Sequence, residues 1–338
     1  MIIRCIRSAS SSSSTQVSAK PVDDYTYCIN HVRKVDYESF ISTGLLRPAS
    51  LQRPAMAIRA LNVELALIRD QVSNAQIGQM RLQFWRETID SIYATLETEQ
   101  ARKINHPVAR EIDLVIRFNT LSKLWFHRLI KSREATLKDM PFADIEQLET
   151  YLEQSITPTY YLLLELAKQR SLNADHIASH LGTRSSSQCS GLSRDRCQCC
   201  LGRAQGLINI VRGIPYNAGK RRCLIPLSYL VEHRVSQQDI LNGQFSNEEC
   251  RHVVYQLCRR SSFHLQKTVE LLEQDKTLQS ASSTRSLFLP TILIYDYLKR
   301  IKTIDFDLSN KQINERNPWL VWNLWRHKFP CSKDLSSF

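Results

Sequence analysis

The sequence predicts an all-α fold, and three observations carry that expectation. Apolar residues recur every three or four positions over long stretches. Turn formers are scarce, with 9 Gly and 11 Pro in 338 residues, which favours helix over a turn-rich β architecture. No alternating apolar and polar run flanks an Asn-Gly or Asp-Gly turn, the pattern a hairpin would leave. The hydrophobic share of 43% is ordinary for a globular protein, and the chain is long enough to bury a large core. No apolar run reaches the roughly 18 residues a membrane-crossing helix needs. The most apolar stretches, 160–164 and 287–295, read as buried helix.

Taken in chain order, residues 1–22 stand apart. They contain Arg4, Arg7 and Lys20, no acid, a serine-rich run, and Ile2, Ile3 and Ile6 beside the arginines. This is the composition of a mitochondrial transit peptide. A secretory signal would need an unbroken apolar stretch of about 7–15 residues, and Ser8 to Thr15 interrupt it. The body, 23–310, is helix after helix. Residues 51–72 and 75–97 have helical spacing. In the second, Ile77, Met80, Phe84, Trp85, Ile92 and Tyr93 share one apolar face, and Asn74 is placed to cap the start. His106-Pro107 opens a helix over 108–119, because proline suits a first turn. Residues 144–168 form a long helix bent near Pro158. Helical stretches follow at 173–182, 203–212, 246–274 and 284–302.

The net charge is +12; without the first 22 residues it is +9. Basic residues are scattered, and acids are interleaved with them through 139–153. No Gly-aromatic RNA signature and no zinc-finger spacing is present, so nucleic-acid binding is not expected. Cys5, Cys28, Cys223, Cys250, Cys258 and Cys331 stand alone, and without a secretory signal they read as reduced thiols.

Five segments in order carry a resemblance. Residues 81–93, from Arg81-Leu82 through Trp85-Arg86 and Asp90 to Tyr93, match an "RL..WR..LD..Y" helix. Residues 60–70 lie just upstream, where an aspartate-rich helix would fall. Residues 129–139 include Arg133-Glu134 and Asp139. Gly202-Arg203-Ala204-Gln205 with Asn209-Ile210-Val211-Arg212 matches a "GRA…N.LRD" helix. Arg222-Cys223-Leu224-Ile225-Pro226 matches an "R.YLP" turn. Together these resemble the squalene/phytoene synthase family over roughly residues 25–300. The resemblance implies an isoprenoid-synthase-like helical bundle with a central cavity. In that family two facing helices each carry aspartates at i and i+4. The pairs hold Mg²⁺, which neutralises the departing diphosphate.

This chain departs from the pattern at those positions. On the first helix the leading aspartates fall on Ala66 and Leu67, leaving Glu64 and Asp70 as the acids. On the second helix, the vestigial positions are Asn209, Arg212, Gly213 and Asn217. The aspartate after Arg212 is Gly213, the acidic pair falls on Tyr216 and Asn217, and Pro215 stands where an uninterrupted helix would resist it. The tyrosine of the following turn is Leu224. Hard cations need charged oxygen ligands that methyl and amide groups do not supply. The expectation is therefore a non-catalytic member with no metal, no cofactor and no catalytic residue. Arg212, Lys220, Arg221 and Arg222 remain as a possible anion-binding group. The alternative is a residual prenyl-diphosphate-using transferase or a prenyl-lipid-binding protein.

A mitochondrial branch of the family that serves assembly of respiratory complex I is the nearest resemblance, through residues 59–66 with Asp70, residues 77–81, and Ala204-Gln205-Gly206 leading to Pro215-Tyr216. It implies a matrix-facing protein peripherally associated with the inner membrane. Its partners would be complex I assembly intermediates or an early membrane-arm subunit.

Two segments fall outside this pattern. Residues 183–202 read as a disordered insertion with Cys189, Cys197, Cys199 and Cys200. Their C-x7-C-x-C-C spacing lacks the paired C-x-x-C knuckles of a zinc site. His176 and His180 share a helix face but have no third ligand nearby. The C-terminal 311–338 segment carries Trp319, Trp322 and Trp325 at spacing three, with Arg326 and Lys328 behind them. That stripe suits a bilayer interface, a partner groove, or packing on its own bundle.

Overall fold

The computed structural model describes residues 23–98, 104–168, 193–274, 282–314, 317–326, 329–330 and 335. The transit peptide expected at 1–22, the helix expected at 173–182 with its two histidines, and Cys189 lie outside the described residues. Among the described residues there is no strand, as the sequence predicts.

The helices are α1 (Asp24–Val35), α2 (Tyr37–Gly44), α3 (Gln52–Gln71), α4 (Ala75–Thr98), α5 (Pro107–Phe118), α6 (Lys123–Glu134), α7 (Ile145–Ser155), α8 (Thr157–Leu166), α9 (Ser193–Gly219), α10 (Leu227–Glu232), α11 (Gln237–Leu241), α12 (Glu248–Gln274), α13 (Ser282–Leu287), α14 (Pro290–Thr303) and α15 (Leu320–Trp325). The local rules are visible at their ends. Asn74 Oδ1 accepts from the Gln76 amide at 2.6 Å, as expected of a cap. Pro107 sits in the first turn of α5. The expected bend near Pro158 is a break: α7 ends at Ser155 and α8 restarts with Pro158 in its first turn. Asp144 caps α7 by accepting from the Gln147 amide at 2.7 Å.

Two helices organise the bundle. Every residue of α3 from Ala55 to Leu61 is buried, so this stretch is enclosed on all sides rather than amphipathic. It packs against α1, α2, α4, α5, α6 and α8. The second organiser, α9, runs along α12 and touches α7, α8 and α14. Helices α6, α7 and α8 join the two halves. One contiguous hydrophobic cluster runs through the whole, with a small satellite under α15.

Three expectations are corrected. In α4 the buried apolar side chains are those of Leu82, Trp85, Ile89 and Ile92, while Ile77, Met80 and Phe84 are exposed. The expected face was drawn about one residue off, because apolar side chains occupy both sides of this helix. Pro215 does not end α9, which continues to Gly219; packing outweighs the one backbone hydrogen bond that proline removes. Residues 193–202, expected in the insertion, form the opening turns of α9, and Leu201 and Gly202 are buried.

The approach of α9 to its neighbours is close. A Cβ on Gly206 would lie 2.8 Å from Leu152 Cβ, and one on Gly202 would lie 3.2 Å from Thr157 Cα. Gly206→Ala is therefore expected to destabilise the fold by about 1–3 kcal/mol through overpacking, read as a lower urea midpoint. An unchanged midpoint would mean that α7 and α9 are not held at this distance.

Candidate functional site

Of the residues singled out by the resemblance, Ala66, Asn209 and Asn217 line a space between α3 and α9, walled by residues of α6 and α7. On α9, Gln205, Asn209, Gly213 and Asn217 repeat every four residues and so share one face. On α3, Ala66 lines the space opposite. That space is divided into two small voids of about 50 and about 40 Å³, and Ala66, Arg133, Ile156 and Asn209 line both. The central cavity implied by the resemblance is thus largely filled by side chains. Voids of this size hold a few waters, whereas ligand pockets run to roughly 300–1,000 Å³.

Asp70 is not presented to this space as an open ligand. Arg222 Nη1 donates to Asp70 Oδ1 at 2.7 Å, and both side chains are close to fully buried. Arg222 Nε also lies 3.3 Å from Asp139 Oδ1. Arg69 closes the group with a forked pair to Asp139, its Nε donating to Oδ1 at 2.8 Å. Asp139 has a left-handed φ of +52°, which a short polar side chain tolerates. Two arginines and two aspartates therefore form a neutral cluster at the wall of the larger void. Burial and the adjacent Arg222 hold the Arg69 pKa below its ordinary value.

Two arginines and one carboxylate face the centre, with the buried Asp36 lining the smaller void beside Arg59. Arg133 is buried, and its donors go to neutral oxygens: Tyr151 Oη at 3.0 Å, Asn62 Oδ1 at 3.0 Å and the Ser155 carbonyl at 3.3 Å. Arg59 lies over the Tyr160 ring, 5.2 Å from its centroid, and Tyr160 donates to Gln205.

The other motif positions point elsewhere. Glu64 lines neither void; its Oε1 lies 3.2 Å from His31 Nε2 and accepts from Tyr27 Oη at 3.4 Å. Burial raises the Glu64 pKa. Arg212 turns towards α2 and α14, donating to Glu38 at 2.9 Å and lying 5.5 Å over the Tyr297 ring. Burial works against its charge, and Glu38, Tyr297 and Asp36 together outweigh burial, so the Arg212 pKa is raised. Lys220 and Arg221 are exposed beyond the end of α9. The structure does not bring Arg212, Lys220, Arg221 and Arg222 together, because carboxylates on different helices claim the first and the last.

The donor set does not fit a pair of magnesium ions. Of the two facing helices, α3 offers one carboxylate in register, already engaged by Arg222. At the corresponding face α9 offers amides and a glycine: Asn217 Nδ2 donates to the Gly213 carbonyl at 2.8 Å. Magnesium sites are built from carboxylate oxygens, water and substrate phosphates. Among the described residues, no group of three or more His, Cys, Asp or Glu is placed to hold a metal ion.

The sequence profile of squalene/phytoene synthase matches residues 32–323, most of the chain. The chain belongs to the squalene/phytoene synthase family. Relatives named NADH dehydrogenase (ubiquinone) complex I, assembly factor 6 are similar over most of the chain. The Rattus norvegicus protein is 33% identical over 313 residues, 91% of this chain and 84% of its own length. The Homo sapiens protein is 32% identical over 299 residues, 88% and 80%. The Drosophila melanogaster homolog is 31% identical over 300 residues, 88% and 81%. Among solved structures, the squalene synthase HpnC from Alicyclobacillus acidocaldarius superposes with a TM-score of 0.65 at 17% identity, covering 84% of this chain and 95% of that one. A dehydrosqualene synthase solved with a ligand gives 0.69 at 14% identity, covering 93% and 97%. At these identities the structures establish the family fold alone.

Sequence reasoning missed a second ionic centre, behind the motif face of α9. Glu149 on α7 is buried and binds Arg260 and His264 of α12: Arg260 Nε donates at 2.5 Å and His264 Nε2 at 2.8 Å, both to Oε1. Arg203 Nη1 lies 3.8 Å from the other Glu149 oxygen and pairs with Glu153. Burial alone would raise the Glu149 pKa; the hydrogen bonds from His264 and Arg260 outweigh it and bring it down to about 2. The available signal was an acid on the buried face of a helix, beside Leu148 and Leu152.

Proposed function

We propose that this chain is a mitochondrial assembly factor for respiratory complex I that works without prenyl-transfer chemistry, using the inherited bundle as a binding surface. The observation that carries this reading is the similarity to proteins named as complex I assembly factor 6, which spans 88–91% of the chain in the three relatives above. The site geometry supports it physically. Releasing diphosphate from an allylic substrate needs metal ions to neutralise the leaving charge, and here the seats for them are amides, a glycine and an arginine-bound aspartate. The small interior voids weigh in the same direction against the residual-transferase and prenyl-lipid readings.

Within this proposal the protein sits on the matrix face of the inner membrane as a peripheral protein. No helix among the described residues is long and apolar enough to cross a membrane. Its partners are complex I assembly intermediates, including an early membrane-arm subunit. Depletion of the protein, followed by native-gel separation of respiratory complexes, is expected to show a selective loss of complex I. Normal complex I after complete depletion would overturn the proposal.

A further inference from the structure

The C-terminal helix presents a surface that the bundle does not use. Leu320 and Leu324 of α15 are buried in a cluster with Leu289 and Ile292, packed by Ile41, Leu45, Leu293 and Phe329. This fastens α15 to the bundle. Asn317 adds a second tie, donating to Asp296 Oδ1 at 2.5 Å while its own Oδ1 accepts from the Trp319 amide at 2.9 Å. With one face so anchored, the opposite face is turned out rigidly. Trp319 is 69% exposed, Trp322 49% and Trp325 57%, and Val321 is also exposed. Trp322 and Trp325 stack at 5.1 Å, and the Arg326 guanidinium lies 5.8 Å above the Trp322 ring.

Single exposed apolar residues are ordinary, but three tryptophans on one turn-and-a-half of helix are not. Indole suits the boundary between acyl chains and headgroups, where its ring is desolvated and its N–H stays hydrogen-bonded. The sequence about it is predominantly basic, with Glu315 and Asp334 at its two edges. Residues 316–333 contain Arg316, Arg326, Lys328 and Lys333 and no Asp or Glu. A protein groove would meet this segment with acids at fixed positions; a bilayer carrying anionic headgroups meets it anywhere, and cations beside a bilayer surface each add attraction.

We infer that the Trp319–Trp322–Trp325 face of α15, with Arg326, is the surface by which this chain docks on an anionic lipid bilayer. The inference rests on the peripheral-membrane reading above and names its contact surface and lipid class. The helix lies in the interface plane, indoles at headgroup level and Arg326 against lipid phosphate, and the bundle stays in water.

The test uses the purified full chain with vesicles of phosphatidylcholine alone or mixed with phosphatidylglycerol, read by co-sedimentation and by the tryptophan emission maximum. The wild-type chain is expected to bind the mixed vesicles with a blue shift and to bind pure phosphatidylcholine much more weakly. W319S/W322S/W325S, which removes no buried side chain, is expected to keep its melting temperature and to lose roughly tenfold or more in binding to mixed vesicles. Equal binding by the triple variant overturns the inference, as does a wild-type chain that binds neither vesicle. Sonication of mitochondria in low-salt buffer, followed by sedimentation of the membranes, separates this failure from that of the reading beneath it. If wild type and variant both stay with the membrane, peripheral association stands and this face is not its cause. If the wild type is extracted with the soluble matrix, the reading itself falls. A triple variant that binds vesicles normally yet fails to restore complex I would assign the face to a protein partner instead, against the inference.

Discussion

Glu149→Ala is expected to lower the unfolding free energy by about 2–3 kcal/mol, because it leaves the buried His264 and the half-exposed Arg260 without their shared anion. Arg203 keeps Glu153 and is less affected. The effect has a pH signature. The folded-state pKa of Glu149 is about 2, below the ordinary 4.5. A depressed carboxylate contributes stability that is present above the unfolded-state value and is lost as pH falls towards the folded one. The gap between wild type and variant should therefore be full at neutral pH and narrow from about pH 4.5 down towards pH 2. Urea unfolding across that range measures it. A variant within about 0.5 kcal/mol of wild type at neutral pH, the range of an ordinary surface change, would show that the cluster is not a buried unit.

The second large effect concerns Asp70, the buried aspartate held by Arg222. Asp70→Ala leaves Arg69 and Arg222 sharing Asp139 alone, two cations against one anion at a buried wall. The expected loss is about 3 kcal/mol or more. If Asp70 serves Arg222 and nothing else, removing both charges should recover much of that loss. Asp70→Asn with Arg222→Gln leaves the neutral Arg69–Asp139 pair intact, and the coupling between the two sites should reach about 0.5–3 kcal/mol. Additive effects in the double-mutant cycle would mean that Asp70 has another task.

The parts of the fold that were legible in the sequence are those where packing and helical period coincide. The helices at 107–118, 248–274 and 290–303 follow their apolar spacing and their proline or polar starts. Helix α1 escaped notice because Cys28 and Val32 are its only buried residues, too thin a stripe to register as periodicity. Helix α6 escaped because its first turns mix Lys123, His127 and Arg128 with the buried Trp125, Phe126, Leu129 and Ile130. The face of α4 was misplaced for a related reason: Ile77, Met80 and Phe84 are as apolar as the residues that pack.

For the site, the residue types at motif positions were readable, and their pairings were not. The family resemblance is what puts Ala66 and Gly213 at positions where carboxylates are expected. That Arg222 reaches back 152 residues to Asp70, or that Arg212 leaves the group for Glu38, depends on tertiary approach that no local pattern records. The same holds for Glu149, whose partners lie 111 and 115 residues along the chain. Long-range ion pairs are set by which helices touch, and that information enters only with the fold.

The central claim is that this bundle serves complex I without the carboxylate its synthase relatives would need. The most direct measurement is rescue: in cells depleted of the protein, the Asp70→Asn/Arg222→Gln chain is expressed and complex I is quantified on native gels. The account predicts restoration to the level given by the wild-type chain. A double variant that folds, accumulates in mitochondria and still leaves complex I absent would contradict it.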